Sequence, residues 1–479
     1  MRTEREYVEY AQARMPWLRR LAYRLCGQWS AADDLFATLP DDPPPLPPGH
    51  LDGALTRARR SVRRRRLGVA SVWVVAALVL AVLIVPGVQG SVQPAAPSTR
   101  PSLPDRLAGY SLLTSTVAKA PPGRAIALYG YGNGETFSMF QSLVVGADGN
   151  TYRRVDASEQ RNRPSALLAP DGTHVLLGDD RGATDDLILE DLTTGRRRSV
   201  PLGEAVGVRL LAWSPDGGHV AYSAAPLTNS GEFGSVNVVE AEVARTGTLW
   251  LLDLSTGRRT QVPTIKPAWT AAFAPDSRRL AVQVGQTAHL IDLDGREYGK
   301  VRIPAGRELA AGVGWSPDGR FLATEQWITD GPFNGTTGGD TGRHGTFLWK
   351  VGDVDFLPVT DARTPPAAVQ DVVRLLGWRS ADTMVVATSD SAGHLALAEV
   401  QLGTGTRRTL SRFDTGRTCE LGMQNCEVFD LHLAAGLLPE LTVRGAGRPQ
   451  RGPWPTPVNV VFAVAVLGAG YLLWRRTGR

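Results

Sequence analysis

AWSPDG at Ala212–Gly217 and GWSPDG at Gly314–Gly319 are the stretches on which the reading of this chain turns. Three more segments share their outline: LLAPDG at Leu167–Gly172, AFAPDS at Ala272–Ser277, and a degenerate GWRSAD at Gly377–Asp382. The Pro-Asp-Gly core has a mechanism. Pro presets φ, Asp bonds its own backbone, and Gly accepts a positive φ. An apolar strand pattern follows each turn: HVLLGD, HVAYSA, RLAVQV, RFLATE and TMVVAT. A second strand then ends in another turn, as in LILEDLTTGRRRSV, LWLLDLSTGRRTQV, HLIDLDGREYGKV and LALAEVQLGTGTRRTL. The unit is therefore strand, Pro-Asp-Gly turn, strand, loop, strand, Thr-Gly-Arg turn, strand. Four strands recurring about every 42 to 63 residues is the layout of a propeller blade.

The pairing of WSPDG with a D-x-x-TG turn resembles the TolB-like and WD-like propeller repeats, over roughly residues 124–441. The resemblance implies a mainly β chain whose domain at 124–445 is a β-propeller. Five units are clear, SLVVGADGNTYRRV at Ser142–Val155 looks like part of another, and CEVFDLHLAAGLLPELTV supplies strands to close the ring. Six and seven blades both stand as expectations. Extra length falls in loops at Ala225–Gly247 and Trp327–Gly345, and such Gly-rich insertions are where propellers bind other molecules. Asp330, Asp340, Arg343 and His344 make the second loop the candidate binding loop. Trp213, Phe273, Trp315 and Trp378 share one repeat position, read as packing blade against blade rather than as an aromatic ligand platform.

Composition agrees with this reading. Of 479 residues, 43% are hydrophobic and 21% charged, which describes a globular chain, while 52 Gly and 33 Pro suit many turns. The net charge of +5 is unevenly placed: basic residues gather at Arg57–Arg66 and again at Arg475, Arg476 and Arg479. Lysine occurs only at Lys119, Lys266, Lys300 and Lys350, an arginine bias read as GC-rich codon usage. Three cysteines make no disulfide framework. Cys419 and Cys426 are close enough in sequence for a disulfide in an oxidising compartment, a pairing left open, and Cys26 reads as a small buried hydrophobe.

Two apolar stretches flank the repeats. Residues 67–88 read LGVASVWVVAALVLAVLIVPGV, enough to cross a bilayer, and longer than the core of a cleaved signal peptide. Residues 458–474 read VNVVFAVAVLGAGYLLW, with Tyr471 and Trp474 placed for an interface. Arginines precede the first stretch and follow the second. Positive charge stays cytoplasmic, so both termini are expected inside, and the propeller outside the cell membrane. Membrane lipid is accordingly an expected partner. The linkers expected are 40–66, Pro-rich then Arg-rich, 89–123, Pro- and Ser-rich, and 446–457, with a tail at 475–479.

The first 39 residues read as a short helical cytoplasmic segment. Tyr7, Ala11, Met15, Leu18, Ala22 and Leu25 fall at spacings of three and four, and Met15, Leu18, Leu21 and Leu25 form its candidate contact face. Residues 7–36 resemble the opening of region 2 in extracytoplasmic-function sigma factors. Gly27, Ala32, Asp33, Asp34 and Leu35 match its "G-D-x-x-x-A-E-D-L" pattern, and Gln28 departs from the acidic residue. The resemblance implies a sigma factor or RNA polymerase core as cytoplasmic partner. The promoter-reading part of region 2 and region 4 have no counterpart, and the arginine run sits against the bilayer without interleaved aromatics. Direct nucleic-acid binding is therefore not expected.

Reactive constellations are missing from the motifs. There is no G-x-S-x-G and no H-E-x-x-H. His174 and His219 each begin a strand after a Pro-Asp-Gly turn and read as solvent-facing, while Asp292-Leu-Asp294-Gly295 matches the ordinary closing turn rather than a calcium cage. A non-enzymatic protein is expected, with no catalytic residue, metal or cofactor. Its function is read as a membrane-anchored binding or sensor module for an unidentified extracytoplasmic protein or glycan, signalling through the N-terminal segment. A cell-envelope scaffold whose N-terminus only anchors it stays open beside that, and a sigma-like DNA-binding factor ranks last.

Overall fold

The computed structural model describes residues 100–453, except 110, 112, 132–140, 156–165, 179–181, 228–237, 327–351, 360–363, 390–394 and 414–427. All of them belong to one compact unit, Gly90–Leu467. The chain enters as β1 (Ser102–Pro104) and β2 (Arg106–Leu107), and an antiparallel run follows: β3 (Ala125–Tyr131), β4 (Gln141–Gly146), β5 (Tyr152–Arg154). A second meander takes β6 (Ala166–Leu168), β7 (His174–Leu177), β8 (Thr184–Asp191) and the first half of β9 (Arg197–Trp213). The second half of β9 opens the next, with β10 (His219–Ala225), β11 (Thr248–Asp253) and β12 (Arg259–Val262). Between β10 and β11 lies α1 (Val238–Thr246).

Three further sheets repeat the pattern. One holds β13 (Thr270–Phe273), β14 (Arg279–Val284), β15 (Thr287–Asp292) and β16 (Glu297–Arg302). Another holds β17 (Arg307–Leu309), β18 (Phe321–Gln326), β19 (Gly352–Pro358) and β20 (Val369–Val372). The last holds β21 (Arg374–Ser380), β22 (Thr383–Ser389), β23 (Leu395–Gln401) and β24 (Arg407–Phe413). β25 (Val428–Leu433) then returns to pair antiparallel with β3, so the final strand completes the first sheet. A 3-10 helix (Ala435–Glu440) leads to β26 (Thr442–Arg444), which lies parallel to β1. This is a mainly β, propeller fold, closed by strands far apart in sequence.

The ring is held by apolar clusters lying between successive sheets. Leu168 and Val175 meet Leu128 and Val144; Leu187 and Leu202 meet Leu210 and Tyr222; Leu251 and Val262 meet Phe273 and Val282. Leu290 meets Trp315 and Leu322, Phe356 meets Trp378 and Met384, and Leu397 and Phe413 meet Tyr129 and Leu431. The middle strands are therefore covered on both faces. That is why HVAYSAA and RLAVQV are near-continuous apolar runs rather than alternating ones. The outer strand β16, EYGKVR, carries only half-buried and exposed residues.

The two turn signatures have the geometry their chemistry calls for. Ser214 Oγ donates to Asp216 Oδ1 (2.6 Å), and that oxygen also accepts the Gly218 N–H (2.9 Å), while Gly217 sits at φ 75°. In AFAPDS the corresponding residue is Ser277, held at φ 59°, a left-handed conformation costly for a side chain with Cβ. Its hydroxyl accepts the Asp216 N–H (3.0 Å) and so ties neighbouring sheets. In the closing turns Asp191 Oδ1 accepts from the Thr193 amide and hydroxyl, and Asp253 does the same with Ser255. Burial pushes Asp191 up, but the Thr193 and Thr194 hydroxyls and amides prevail and hold it at about 2. Asp292 accepts the amides of Asp294 and Arg296, an ordinary closing turn.

Of the stretch expected as linker at 89–123, the described residues from Arg100 onward take part in the fold. β1 pairs with β26, and β2 adds in parallel to the outer edge of β24, burying Leu103 and Leu107 completely. Pro- and Ser-rich composition hid this, because two- and three-residue strands leave no periodicity to read. Residues 446–451 of the other expected linker are likewise docked: Asn150 Nδ2 donates to the Gly447 carbonyl (2.8 Å), and Arg451 donates to Thr114 Oγ1 (2.8 Å). Among the described residues no helix is long and apolar enough to cross a membrane. Both apolar stretches, 67–88 and 458–474, and the N-terminal segment with Met15, Leu18, Leu21 and Leu25, lie outside the described residues.

Candidate binding site in the central channel

The first strand of each meander faces the axis of the ring. Neighbouring inner strands touch in the order β25, β6, β9, β13, β17, and β21 touches β25. The strands alternate in direction, so the Pro-Asp-Gly and Thr-Gly-Arg turns share one face. The strand ends joined by the connections β7–β8, β10–β11 and β18–β19 stand at the opposite face, where the inner strands begin. Both long insertions leave from strand ends at that second face.

Polar side chains converge there. Arg209, near the start of the inner half of β9, donates to the Trp269 carbonyl (2.6 Å) and lies over the Trp269 ring, 4.7 Å from its centroid. Trp269 Nε1 donates to Glu308 Oε2 (3.0 Å), and Glu308 stands opposite Glu325 in the β17–β18 register. Arg307 donates to Asp353 Oδ1 (2.6 Å), Thr324 Oγ1 (2.9 Å) and the Thr324 carbonyl (2.8 Å). Glu325, 9% exposed, accepts the Leu375 N–H across the sheet boundary. Arg374 follows at the start of β21, and His432 stands deeper along the channel, fifth of the six residues of β25. A polar belt thus runs across the inner strands of successive sheets.

Burial and neighbouring charges set the belt's ionisation. Burial pushes the Glu325 carboxyl up to about 7, with Glu308 adding to the rise and Arg374 and Arg307 opposing it. Burial pushes His432 down to about 3, and the Arg374 charge acts in the same direction. His432 borders a cavity beside Arg374, and burial together with that charge favours the neutral imidazole. The cavity lies on the channel axis, lined by Leu167, Leu168, Trp213, Val313, Arg374 and His432 among others. Ala435 of the 3-10 helix borders it too, and the Gly436 N–H donates to the Pro170 carbonyl (2.8 Å).

The four aromatic repeat positions are buried, from 3% to 9% exposed. Trp315 Nε1 donates to the Ala272 carbonyl (2.9 Å) and Trp378 Nε1 to the Val313 carbonyl (2.9 Å), each reaching the preceding sheet. Phe273 packs among Leu251, Val262 and Leu280. Trp213 Nε1 bonds the Gly217 carbonyl of its own turn (3.0 Å), and its ring also borders the cavity. His174 and His219 are half-buried rather than solvent-facing, because the strands they begin run directly into the sheet core. Thr173 Oγ1 contacts His174 Nδ1 (2.7 Å), and His219 Nδ1 is buried. Asp330, Asp340, Arg343 and His344, and the pair Cys419 and Cys426, lie outside the described residues. The anchors of the candidate loop do not: Gln326 pairs with Arg307, and Gly352 adjoins Asp353, so both ends of the loop meet the belt. Among the described residues no group of three His, Cys, Asp or Glu is placed to hold a metal ion.

Arg209, Trp269, Glu308, Glu325, Arg374 and His432 were not singled out by motif. A signal existed: VRLLAW at Val208–Trp213 and VRLLGW at Val373–Trp378 place an arginine four residues before the repeat tryptophan. Trp269 stands at the same offset before Phe273.

No protein-family model matches the chain, and no curated protein matches it. Solved structures similar to it include the crystal structure of TolB from Acinetobacter baumannii, at 14% identity and TM-score 0.37, covering 65% of this chain and 67% of that one. An oligogalacturonate lyase in complex with manganese is 17% identical at TM-score 0.37, covering 64% of this chain and 78% of that one. A putative TolB from Agrobacterium tumefaciens is 16% identical at TM-score 0.32, covering 60% and 90%. The propeller assignment rests on the strand pairing described above, and likenesses this distant carry nothing about ligand or activity.

Proposed function

We propose that this chain is a membrane-anchored binding module, a six-bladed propeller that receives a protein or glycan outside the cell on the face where its inner strands begin. The observation that carries the proposal is the convergence of the polar belt, Arg209 to Arg374, on the face from which both long insertions leave. The count of six follows from grouping the strands by fours, with β25 completing the first blade and β9 shared between two. The apolar stretches at 67–88 and 458–474 serve as the two spans, with arginines on the cytoplasmic side of each. Clasping of β1 against β26 supports this, since it brings the two tethered ends of the propeller together. Residues 1–39, through Met15, Leu18, Leu21 and Leu25, contact a sigma factor or RNA polymerase core, so binding outside is reported to transcription inside.

Two replacements in the full chain test the halves separately. Exchanging residues 331–346 for a short Gly-Ser linker should abolish capture of the outside partner. Exchanging residues 1–56 for an unrelated segment should leave capture intact and abolish the transcriptional response. A full response after the second exchange would make the N-terminus a mere anchor. Retained capture after the first would remove the loop face from the proposal.

A further inference from the structure

We infer that the cavity on the channel axis binds a small organic carboxylate carried on an apolar body, with Arg374 as the residue that holds the carboxylate. The inference deepens the proposed binding role and rests on it for location, though its chemistry comes from the cavity itself.

The other belt arginines are committed. Arg307 spends its fork on Asp353 and Thr324, and Arg209 on the Trp269 carbonyl and ring. Further out, Arg379 Nη2 donates to the Leu441 carbonyl (2.8 Å) and Arg379 also pairs with Glu399. Arg374 borders the cavity half-buried, and among the described residues no hydrogen bond or ion pair is made to its guanidinium. Glu325 and His432 act on it only through space. A guanidinium has five N–H donors in a planar fork that matches a carboxylate two bonds at a time. Leaving it unpaired in a half-desolvated site is costly, so a ligand that supplies the missing oxygens gains from both charge and geometry.

The surroundings narrow the ligand further. His432 is neutral, so it adds no second charge and can donate or accept one hydrogen bond. Glu325 is drawn toward its protonated form and already accepts the Leu375 N–H, which weakens it as an internal counter-ion. The walls are Leu167, Leu168, Trp213, Val313, Leu375 and Leu431. A bare inorganic anion would leave those walls uncovered, a cation would meet Arg374, and a neutral apolar molecule would leave the guanidinium unpaired. An anionic head on an aliphatic body satisfies each group.

The test uses the full chain in a nonionic detergent, with carbon-13-labelled hexanoate as probe and hexanol and hexylammonium as matched controls, read by NMR titration. Hexanoate should bind at least about ten-fold more tightly than hexanol, and R374Q should erase that preference. R320Q, at an exposed surface pair with Asp318, should keep it. R374K retains the charge without the fork and should fall between, which gives a second reading if R374Q loses its melting transition. Equal affinities for hexanoate and hexanol, an undiminished preference in R374Q, or no binding by the folded wild type at about 10 mM would each overturn the inference. Such a failure alongside loss of capture on exchange of residues 331–346 would discard the carboxylate while keeping the docking face.

Discussion

Replacing Glu325 with Gln should change how the stability of this propeller depends on pH. The carboxyl is 9% exposed and is raised by burial from 4.5 to about 7. The folded chain therefore holds a proton between those values that the unfolded chain has lost. Stability contributed by this group is full below about 4.5 and declines as pH rises toward 7, after which it levels off. The difference amounts to about 3 kcal/mol at 1.36 kcal/mol per pKa unit, as an order of magnitude. An unfolding entropy of ~2.1 cal/mol/K per residue over residues 100–453 gives about 0.7 kcal/mol/K, so about 4 °C in Tm. Gln keeps an oxygen to accept the Leu375 N–H and cannot ionise. E325Q should match wild type at pH 4.5 and melt about 4 °C higher at pH 8, by tryptophan fluorescence of the full chain in one detergent. Glu190, also raised by burial to about 7, titrates in the same window in both proteins and cancels from the comparison. A Tm difference that does not change between pH 4.5 and pH 8 would refute the reasoning, since it would mean that ionised Glu325 is accommodated at no cost.

Other substitutions separate packing from polar contacts. S277A should cost about 1 kcal/mol, because it loses the bond from the Asp216 N–H yet keeps the left-handed φ. S277G loses the same bond but relieves about 1–2 kcal/mol of backbone strain, so it should denature at equal or higher urea than S277A. W315F should lose about 1 kcal/mol with its bond to the Ala272 carbonyl, whereas W378A, which empties space beside Phe356, should lose about 3–5 kcal/mol, both read by urea denaturation. R444A removes donors to Ser102 Oγ (2.6 Å) and to the Gly149 carbonyl (2.6 Å), so amide exchange should accelerate at Leu103 and Thr442 while Val386 stays protected.

The fold was legible because its turns are chemical rather than merely polar. Asp216 and Asp253 bond the backbone in ways that only a few residue types permit, and the chain repeats them in register. The strands between were equally plain, since middle strands covered on both faces become runs such as HVAYSAA. What escaped were pieces without a period. β1 and β2 span three and two residues, and their hold on β26 and β24 is set by partners more than 300 positions away. The belt escaped for another reason. Arg209 and Arg374 occupy ordinary strand positions, and nothing local marks a residue as facing the axis of a ring. Only alignment of the repeats on their tryptophans exposes the shared offset, and the contacts of Glu308 with Glu325 and Trp269 need the strand register and the packing of successive sheets.

The clasp between β1 and β26 also has a mechanical meaning. The two strands are parallel, and the chain enters at the start of one and leaves from the end of the other. Tension between residues 100 and 453 therefore pulls the strands along their lengths in opposite directions. The Thr442 N–H to Pro101 bond and the Asp105 N–H to Arg444 bond then bear load together rather than peeling apart one by one. Stress arriving from the N-terminal side meets this seam before it reaches the blades, and stress from the C-terminal side reaches it after the docked residues 447–451 have let go of Asn150 and Thr114.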